Sequence, residues 1–144
     1  MPCEPVRVLL VDDNEGMLSL ATRVLRNSCV IVGAVSDGEA AVEVADLLRP
    51  HVIVLDISMN GMSGLQTASA LRQAGSVAAV VFLTIHDEDE FVAAARAAGG
   101  TGYVLKPRLV SDLIIAVHEA REGRRFESPR DCWPRPATRP LPTA

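Results

Sequence analysis

Cysteine is scarce in this chain, and its placement excludes two kinds of site. Cys3, Cys29 and Cys132 are odd in number and widely spaced. Paired cysteines would indicate a disulfide framework, and closely spaced ones would indicate a metal cluster. The sequence therefore predicts neither feature.

The sequence also lacks long apolar runs and an export signal. No stretch is long enough to span a bilayer. Residues 1–5 lack the basic start of a signal peptide, and the apolar run that follows has only the length of a strand. We therefore expect a cytoplasmic protein that does not enter a membrane.

Basic charge and glycine-rich loops are scarce as well. The net charge of −4 and the scattered arginines argue against nucleic acid as a partner of the whole surface. Gly16 stands alone after the first apolar run, where a nucleotide-binding loop would need several glycines. Lys106 is the only lysine among the 14 basic residues, so one compact ammonium has been kept in a chain that otherwise uses arginine.

The length and pattern of the chain predict one α/β domain. With 144 residues and 49% hydrophobic content, it can bury a single sizeable core. Continuous apolar runs alternate with helical periodicity five times, which is typical of a parallel sheet buried between helices. The predicted strands are 6–11, 30–35, 52–55, 79–84 and 102–105. We predict an N-terminal extension over 1–5, a folded domain over 6–122, and a linker remnant with a disordered tail rich in proline and arginine over 123–144.

Polar residues follow four of the predicted strands at their carboxyl ends. They are Asp12 and Asp13 after the first, Asp56 after the third, Thr84 at the end of the fourth and Lys106 after the fifth. In a doubly wound sheet of order 2-1-3-4-5, ligands bind beyond these ends, where the strand order reverses. Crowded carboxylates either raise one another's pKa or hold a hard cation, and ligands that offer only oxygen favour Mg²⁺.

This arrangement also suggests phosphoryl chemistry. With a cation present, the Asp56 carboxylate becomes a plausible nucleophile for a phosphoryl group. Lys106 could neutralise one phosphoryl oxygen, and the Thr84 hydroxyl could donate to another. Each residue alone has an ordinary interpretation, since Asp12 and Asp13 could simply cap a helix. Their joint occurrence at neighbouring strand ends favours the site.

Taken together, these motifs resemble the receiver domains of two-component response regulators. The resemblance covers roughly residues 6–120 and rests on Val-Asp-Asp at 11–13, Leu-Asp-Ile-Ser-Met at 55–59, Leu-Thr at 83–84 and Gly-Tyr-Val-Leu-Lys-Pro at 102–107. It implies a CheY-like, flavodoxin-like fold with five helices. It also implies that Asp56 is the phosphoacceptor and that a sensor histidine kinase or phosphotransfer protein is the donor. Such a domain is not an enzyme beyond slow self-dephosphorylation.

The resemblance implies roles for further residues. Mg²⁺ would be held by Asp12, Asp13 and Asp56 together with the backbone carbonyl of Ser58, and Lys106 would contact the phosphoryl group. Thr84 and Tyr103 would form a switch pair that changes a face used by a downstream protein or by a second copy of the chain. The peptide bond from Lys106 to Pro107 would be cis, as it commonly is in the family.

Several alternatives remain open at this point. His86, two residues after Thr84, could tune the loss of the phosphoryl group, although a solvated loop histidine is the more ordinary interpretation. Residues 120–129 resemble the linker of NarL and LuxR-type regulators, but too few residues follow to build a helix-turn-helix. We therefore expect no specific DNA binding by this chain alone. The main rival is a phosphorylation-independent interaction module derived from a transcription regulator.

Overall fold

The fold is an open parallel sheet with helices on both faces, as predicted. A computed structural model describes residues 4–129. The strands are β1 (Val6–Val11), β2 (Cys29–Val35), β3 (Val52–Leu55), β4 (Ala79–Thr84), β5 (Gly102–Leu105) and β6 (Phe126–Glu127). The helices are α1 (Glu15–Leu25), α2 (Gly38–Leu48), α3 (Gly64–Gln73), α4 (Asp89–Ala97) and α5 (Leu109–Arg121). Within the described residues, no helix is long and apolar enough to cross a membrane.

The strand order β2-β1-β3-β4-β5 confirms the predicted topology, and β6 adds a sixth strand beside β5. All pairings are parallel. β6 lies beyond the domain boundary drawn at residue 122, so the sheet extends into the segment predicted as linker and tail. The rest of that segment, from residue 130 onward, lies outside the described residues.

Two apolar clusters cover the two faces of the sheet. On one face, alternate residues such as Val8, Val54 and Val104 pack with α1 and α5. On the other face, residues such as Ile53 and Phe82 pack with α2, α3 and α4. Because both faces are covered, the central strands are mostly apolar, and each residue of β3 is both apolar and buried.

Local capping explains where several helices begin. The side chain of Asn14 accepts a hydrogen bond from the Met17 amide at 3.1 Å, and Asp37 caps α2 in the same way. At the start of α3, Ser63 and Gln66 form a capping box, in which each side chain bonds to the other's backbone amide. These caps fix the loops that follow the carboxyl ends of β1, β2 and β3.

Candidate functional site

Three aspartates meet at the carboxyl ends of β1 and β3. Asp12 and Asp13 follow β1, and Asp56 follows β3. Because the last residues of these two strands, Val11 and Leu55, pair directly, the acidic residues after them lie side by side. One carboxylate oxygen from each of the three aspartates lies within 4.8 Å of the others. The structure thus brings together the acidic residues that the sequence predicted as a site.

Asp12 is the most constrained of the three aspartates. Its side chain is buried, and its Oδ1 accepts a hydrogen bond from the Asn14 amide at 2.9 Å. Its Oδ2 is buried and accepts no well-oriented hydrogen bond from the described residues, although the Lys106 ammonium lies 3.1 Å away. A buried carboxylate oxygen without a hydrogen bond is unusual and leaves a position that a cation could take.

Asp13 differs from Asp12 because it faces solvent. Its Oδ2 accepts a hydrogen bond from the Asn60 amide at 3.1 Å, which connects β1 to the loop after β3. A proline at position 60 would have no amide hydrogen to donate. Asn60 therefore supplies a contact to the acidic cluster that proline could not supply.

Asp56 lies between opposing influences. Its carboxylate is buried; Oδ1 accepts from the Ser58 amide at 3.3 Å and Oδ2 from the Lys106 ammonium at 3.3 Å. Burial, followed by the charge of Asp12, raises the pKa of Asp56 from 3.8 to about 6, although Lys106 and the Ser58 amide oppose the rise. The carboxylate is thus ionised at neutral pH, but its charge is destabilised by burial and by Asp12. A bound cation would reduce this destabilisation.

Lys106 bridges two of the aspartates from the end of β5. Its Nζ lies 3.1 Å from Asp12 Oδ2 and 3.3 Å from Asp56 Oδ2, and its side chain is only 15% exposed. An ammonium carries three donors on a flexible stem, so it can follow a group that is added to either carboxylate. The structure therefore places the single lysine beside the acidic cluster, where the sequence predicted it.

The donor set fits a hard divalent cation. Asp12, Asp13 and Asp56 each offer a carboxylate oxygen within 4.8 Å of the others, and the Oδ2 of Asp12 is buried without a hydrogen bond from the described residues. Oxygen ligands of this kind suit Mg²⁺. The amide of Ser58 faces Asp56, which keeps the loop carrying the predicted carbonyl ligand against the cluster.

The two predicted switch residues meet at the backbone of His86. Thr84 is fully buried at the end of β4, and its hydroxyl accepts a hydrogen bond from the His86 amide at 3.2 Å. Tyr103 is buried in β5, and its hydroxyl donates to the His86 carbonyl at 2.7 Å. The tyrosine ring is therefore turned inward, and both side chains hold the loop between β4 and α4.

The side chain of His86 is more engaged than the sequence suggested. Its Nε2 lies 2.7 Å from Ser58 Oγ, and its ring stacks on Phe91 with ring centroids 4.0 Å apart. The interpretation as a simple solvated histidine is therefore wrong. Its position two residues after Thr84 was the only sequence signal for this contact, because the partners Ser58 and Phe91 lie on two other segments.

The expectation of a cis bond before Pro107 is also wrong. All peptide bonds among the described residues are trans. Lys106, Pro107 and Arg108 form one 3₁₀ turn between β5 and α5. A proline near the start of a helical turn fits there on a trans bond, because its ring fixes φ at a helical value and it lacks an amide hydrogen that would have no partner.

Comparison with known proteins gives one consistent result. A sequence model of the response regulator receiver domain matches residues 8–118. The nitrate/nitrite response regulator protein NarL of Escherichia coli (strain K12) is 36% identical over 123 residues, which is 83% of this chain and 56% of that protein. The transcriptional regulatory protein PdtaR of Mycobacterium tuberculosis is 35% identical over 117 residues, which is 81% of this chain and 57% of that protein. The chain thus spans about half the length of these relatives.

Solved structures agree with the sequence comparison. The signal receiver domain of the response regulator NarL from Mycobacterium tuberculosis aligns with a TM-score of 0.80 at 34% identity, covering 85% of this chain and 100% of that domain. A LuxR-family two-component response regulator from Aurantimonas sp. aligns with a TM-score of 0.83 at 27% identity, covering 88% of this chain and 91% of that one. The fold, the acidic strand ends and the matched residues lead to one conclusion: the chain belongs to the response regulator receiver domains of two-component systems.

Proposed function

We propose that this receiver domain accepts a phosphoryl group on Asp56 in a reaction that depends on Mg²⁺. The observation that carries the proposal is the buried Asp56 carboxylate, held by the Lys106 ammonium and flanked by Asp12 and Asp13. The donor would be a sensor histidine kinase or a phosphotransfer protein. We propose that this occurs in the cytoplasm, as the sequence predicts.

The residues of the site would divide the chemistry among them. A carboxylate oxygen of Asp56 would attack phosphorus, forming a P–O bond as the bond from phosphorus to the donor nitrogen breaks. Lys106 would move with the added group and neutralise one of its oxygens, while Asp12, Asp13, Asp56 and the Ser58 carbonyl would hold Mg²⁺. When bound, the cation supplies charge compensation between the carboxylates and the phosphoryl oxygens.

The pKa of Asp56 fits this role. Although it is raised to about 6, it still lies below neutral pH, so the carboxylate remains mostly ionised, and therefore nucleophilic, at pH 7. Below that value the protonated form predominates in the cation-free protein. Adding Mg²⁺ stabilises the ionised form, which links cation binding to nucleophile activation.

Intact-mass measurement tests the proposal. After incubation with acetyl phosphate and Mg²⁺, the wild type should gain one phosphoryl group, and Asp56→Asn should gain none. Asp46→Asn changes an exposed carboxylate on α2 and should react as the wild type does. Omitting Mg²⁺ should abolish the adduct. If the wild type is unmodified and also forms no beryllofluoride complex, the phosphorylation-independent interaction module becomes the better description.

We further propose that Thr84 and Tyr103 transmit the phosphorylated state to the face formed by α4, β5 and α5. The support is that both hydroxyls form hydrogen bonds with the backbone of His86. A movement of Thr84 toward a phosphoryl group would break one of these two hydrogen bonds to the loop between β4 and α4. Such a switch requires two packings that differ by only a few kcal/mol. A downstream protein or a second copy of the chain would bind to this face. For this chain by itself we propose no sequence-specific binding to DNA.

Tyr103→Ala tests the switch. The variant should still accept the phosphoryl group, because the Tyr103 hydroxyl bonds to the backbone carbonyl of His86 and the substitution leaves the three aspartates and Lys106 in place. It should lose phosphorylation-dependent dimerisation or partner binding, measured by sedimentation or by titration with the partner. Unchanged phosphorylation-dependent association would remove Tyr103 from the switch.

A further inference from the structure

The segment after α5 is folded onto the sheet edge, and we call residues 124–129 the strap. Its two-residue strand β6 pairs with β5, so that Gly102 lies beside Phe126 and Tyr103 beside Glu127. The Glu127 carboxylate forms an ion pair with Arg96 of α4 at 2.6 Å. The strap therefore lies on the same edge as the switch residue Tyr103.

Ser128 makes the innermost contacts of the strap. The residue is only 3% exposed. Its amide donates to the Tyr103 carbonyl at 2.8 Å. Its hydroxyl accepts from the Leu105 amide at 3.1 Å and donates to Asp112 Oδ2 at 2.7 Å. Ser128 Oγ thus takes the position that a strand carbonyl would have if β6 continued.

Asp112 fixes this hydroxyl from the first turn of α5. It is a buried carboxylate, and it also accepts from Arg108 Nε at 2.8 Å and from Ser111 Oγ at 3.0 Å. The hydrogen bonds from Arg108, Ser128 and Ser111 keep the pKa of Asp112 below its usual value despite burial. Because the carboxylate is held on several sides, it orients the Ser128 hydroxyl so that its lone pair faces the Leu105 amide.

Leu105 connects the strap to the acidic site. It is the last residue of β5, and the next residue is Lys106, whose ammonium bridges Asp12 and Asp56. On one side, Leu105 pairs with Thr84 of β4. On the other side, β6 has already ended, and the acceptor for its amide is Ser128 Oγ. Without that hydroxyl, a fully buried amide would lose its partner, which costs about 1–3 kcal/mol unless the backbone moves.

We propose that Ser128 is a positioning residue for Lys106, through which the strap and the acidic site are coupled. The coupling concerns phosphoryl acceptance at Asp56 and therefore rests on the function proposed above. Since coupling between two sites is reciprocal, a phosphoryl group that draws Lys106 toward itself also changes how tightly the strap is held.

The kinetic arm of the test compares three variants for phosphorylation by acetyl phosphate. Ser128→Ala should react roughly tenfold more slowly, because a small misplacement of a charge-compensating group is costly. Ser128→Thr keeps the hydroxyl and should restore the rate. Arg96→Gln removes the ion pair of the strap but leaves Ser128 in place, so it should react as the wild type does.

Mg²⁺ affinity, measured by calorimetry, separates positioning from general damage. In Ser128→Ala the three aspartates remain and the ammonium is less firmly held, so Mg²⁺ should bind as tightly as in the wild type or more tightly. If Ser128→Ala loses both the rate and the Mg²⁺ affinity, Ser128 merely supports the fold, and the proposal is overturned. If the wild type is phosphorylated and Ser128→Ala is phosphorylated at the same rate, the proposal is overturned as well, while the proposed function stands.

A second arm needs no phosphoryl donor. Because Lys106 is the only lysine, reductive methylation modifies its ammonium and the N-terminal amine, and peptide mapping reports the two separately. Lys106 should be methylated about fivefold faster in Ser128→Ala than in the wild type, a ratio that corresponds to the free energy of one net hydrogen bond. Ser128→Thr and Arg96→Gln should label at the wild-type rate. If Ser128→Ala also labels at that rate, the coupling fails, whether or not the wild type accepts a phosphoryl group.

Discussion

At the scale of single residues, the site holds one carboxylate in conditions that disfavour its charge. Asp56 is 4% exposed and lies beside the buried Asp12, and one ammonium, that of Lys106, opposes both. Burial and the like charge outweigh the ammonium, so the pKa of Asp56 rises rather than falls. The residue that would react is thus also a source of instability in the cation-free protein.

This conflict predicts that Asp56→Asn stabilises the cation-free protein at high pH. The pKa of Asp56 is raised from 3.8 to about 6 on folding. Its protonated carboxyl group therefore contributes fully to the free energy of unfolding below pH 3.8, and this contribution is lost as the pH rises through about 6. Near pH 8 the difference should reach roughly 2–3 kcal/mol in favour of the variant. Urea denaturation across this pH range measures it. A constant difference between wild type and variant would contradict the raised pKa.

Single residues also show what the sequence could predict about the site. Asp12, Asp56 and Lys106 were predictable because each directly follows an apolar strand, and parallel strands end at the same edge. The contacts of His86 with Ser58 and Phe91 were not predictable, since they depend on how two loops fold over the sheet. Burial of Ser128 was also missed, because a serine followed by proline reads as part of a tail.

At the scale of elements, the connection between β3 and α3 fixes Asp56 through close packing. A Cβ on Gly64 would lie 2.0 Å from the Asp56 carbonyl oxygen and 2.7 Å from Ile57 Cα. The Gly64 amide donates to the Ile57 carbonyl at 2.8 Å. The start of α3 can therefore approach the end of β3 this closely only because residue 64 has no side chain.

We therefore predict that Gly64→Ala both destabilises the domain and displaces Asp56. Overpacking against backbone atoms should cost about 1–3 kcal/mol, measured by urea denaturation. Phosphorylation by acetyl phosphate should slow in the fraction that remains folded. Gly16→Ala is the matched control, because its nearest neighbour is a side-chain atom, Asn14 Oδ1, at 3.1 Å. A Gly64→Ala variant as stable and as reactive as that control would contradict the role of this packing.

The elements differ in how well the sequence predicts them. The bounds of β3 follow from four consecutive apolar residues between a histidine and an aspartate, and the structure has the same bounds. β6 has only two residues, Phe126 and Glu127, and no alternating pattern can be recognised in so short a strand. It forms because the edge of β5 offers unpaired backbone groups and because Ser128 binds the segment there.

At the scale of the whole molecule, the site exists only in the folded chain. Asp12, Asp56 and Lys106 are separated by 44 and 50 positions in sequence, and the strand order brings them within hydrogen-bonding distance. A cation that binds these residues in the folded state finds no such site in the unfolded chain. Mg²⁺ binding must therefore add to the free energy of unfolding.

This linkage predicts a concentration-dependent stabilisation by Mg²⁺. At ten times its dissociation constant, Mg²⁺ should raise the free energy of unfolding by about 1.4 kcal/mol, measured by thermal or urea denaturation. Asp13→Asn should lose most of this gain, because it removes one of the three carboxylates that would bind the cation. The substitution should cost the fold little, because Asp13 is exposed. Asp46→Asn should keep the gain. An equal gain in Asp13→Asn would mean that the cation binds elsewhere.

The most direct test of the central claim is to locate the phosphoryl group on the chain. Treatment with acetyl phosphate and Mg²⁺, followed by borohydride, reduces an aspartyl phosphate to homoserine, which peptide sequencing by mass spectrometry can assign to one position. We predict homoserine at position 56 and unmodified aspartate at positions 12 and 13. Homoserine at another position, with Asp56 intact, would contradict the assignment of Asp56 as the acceptor.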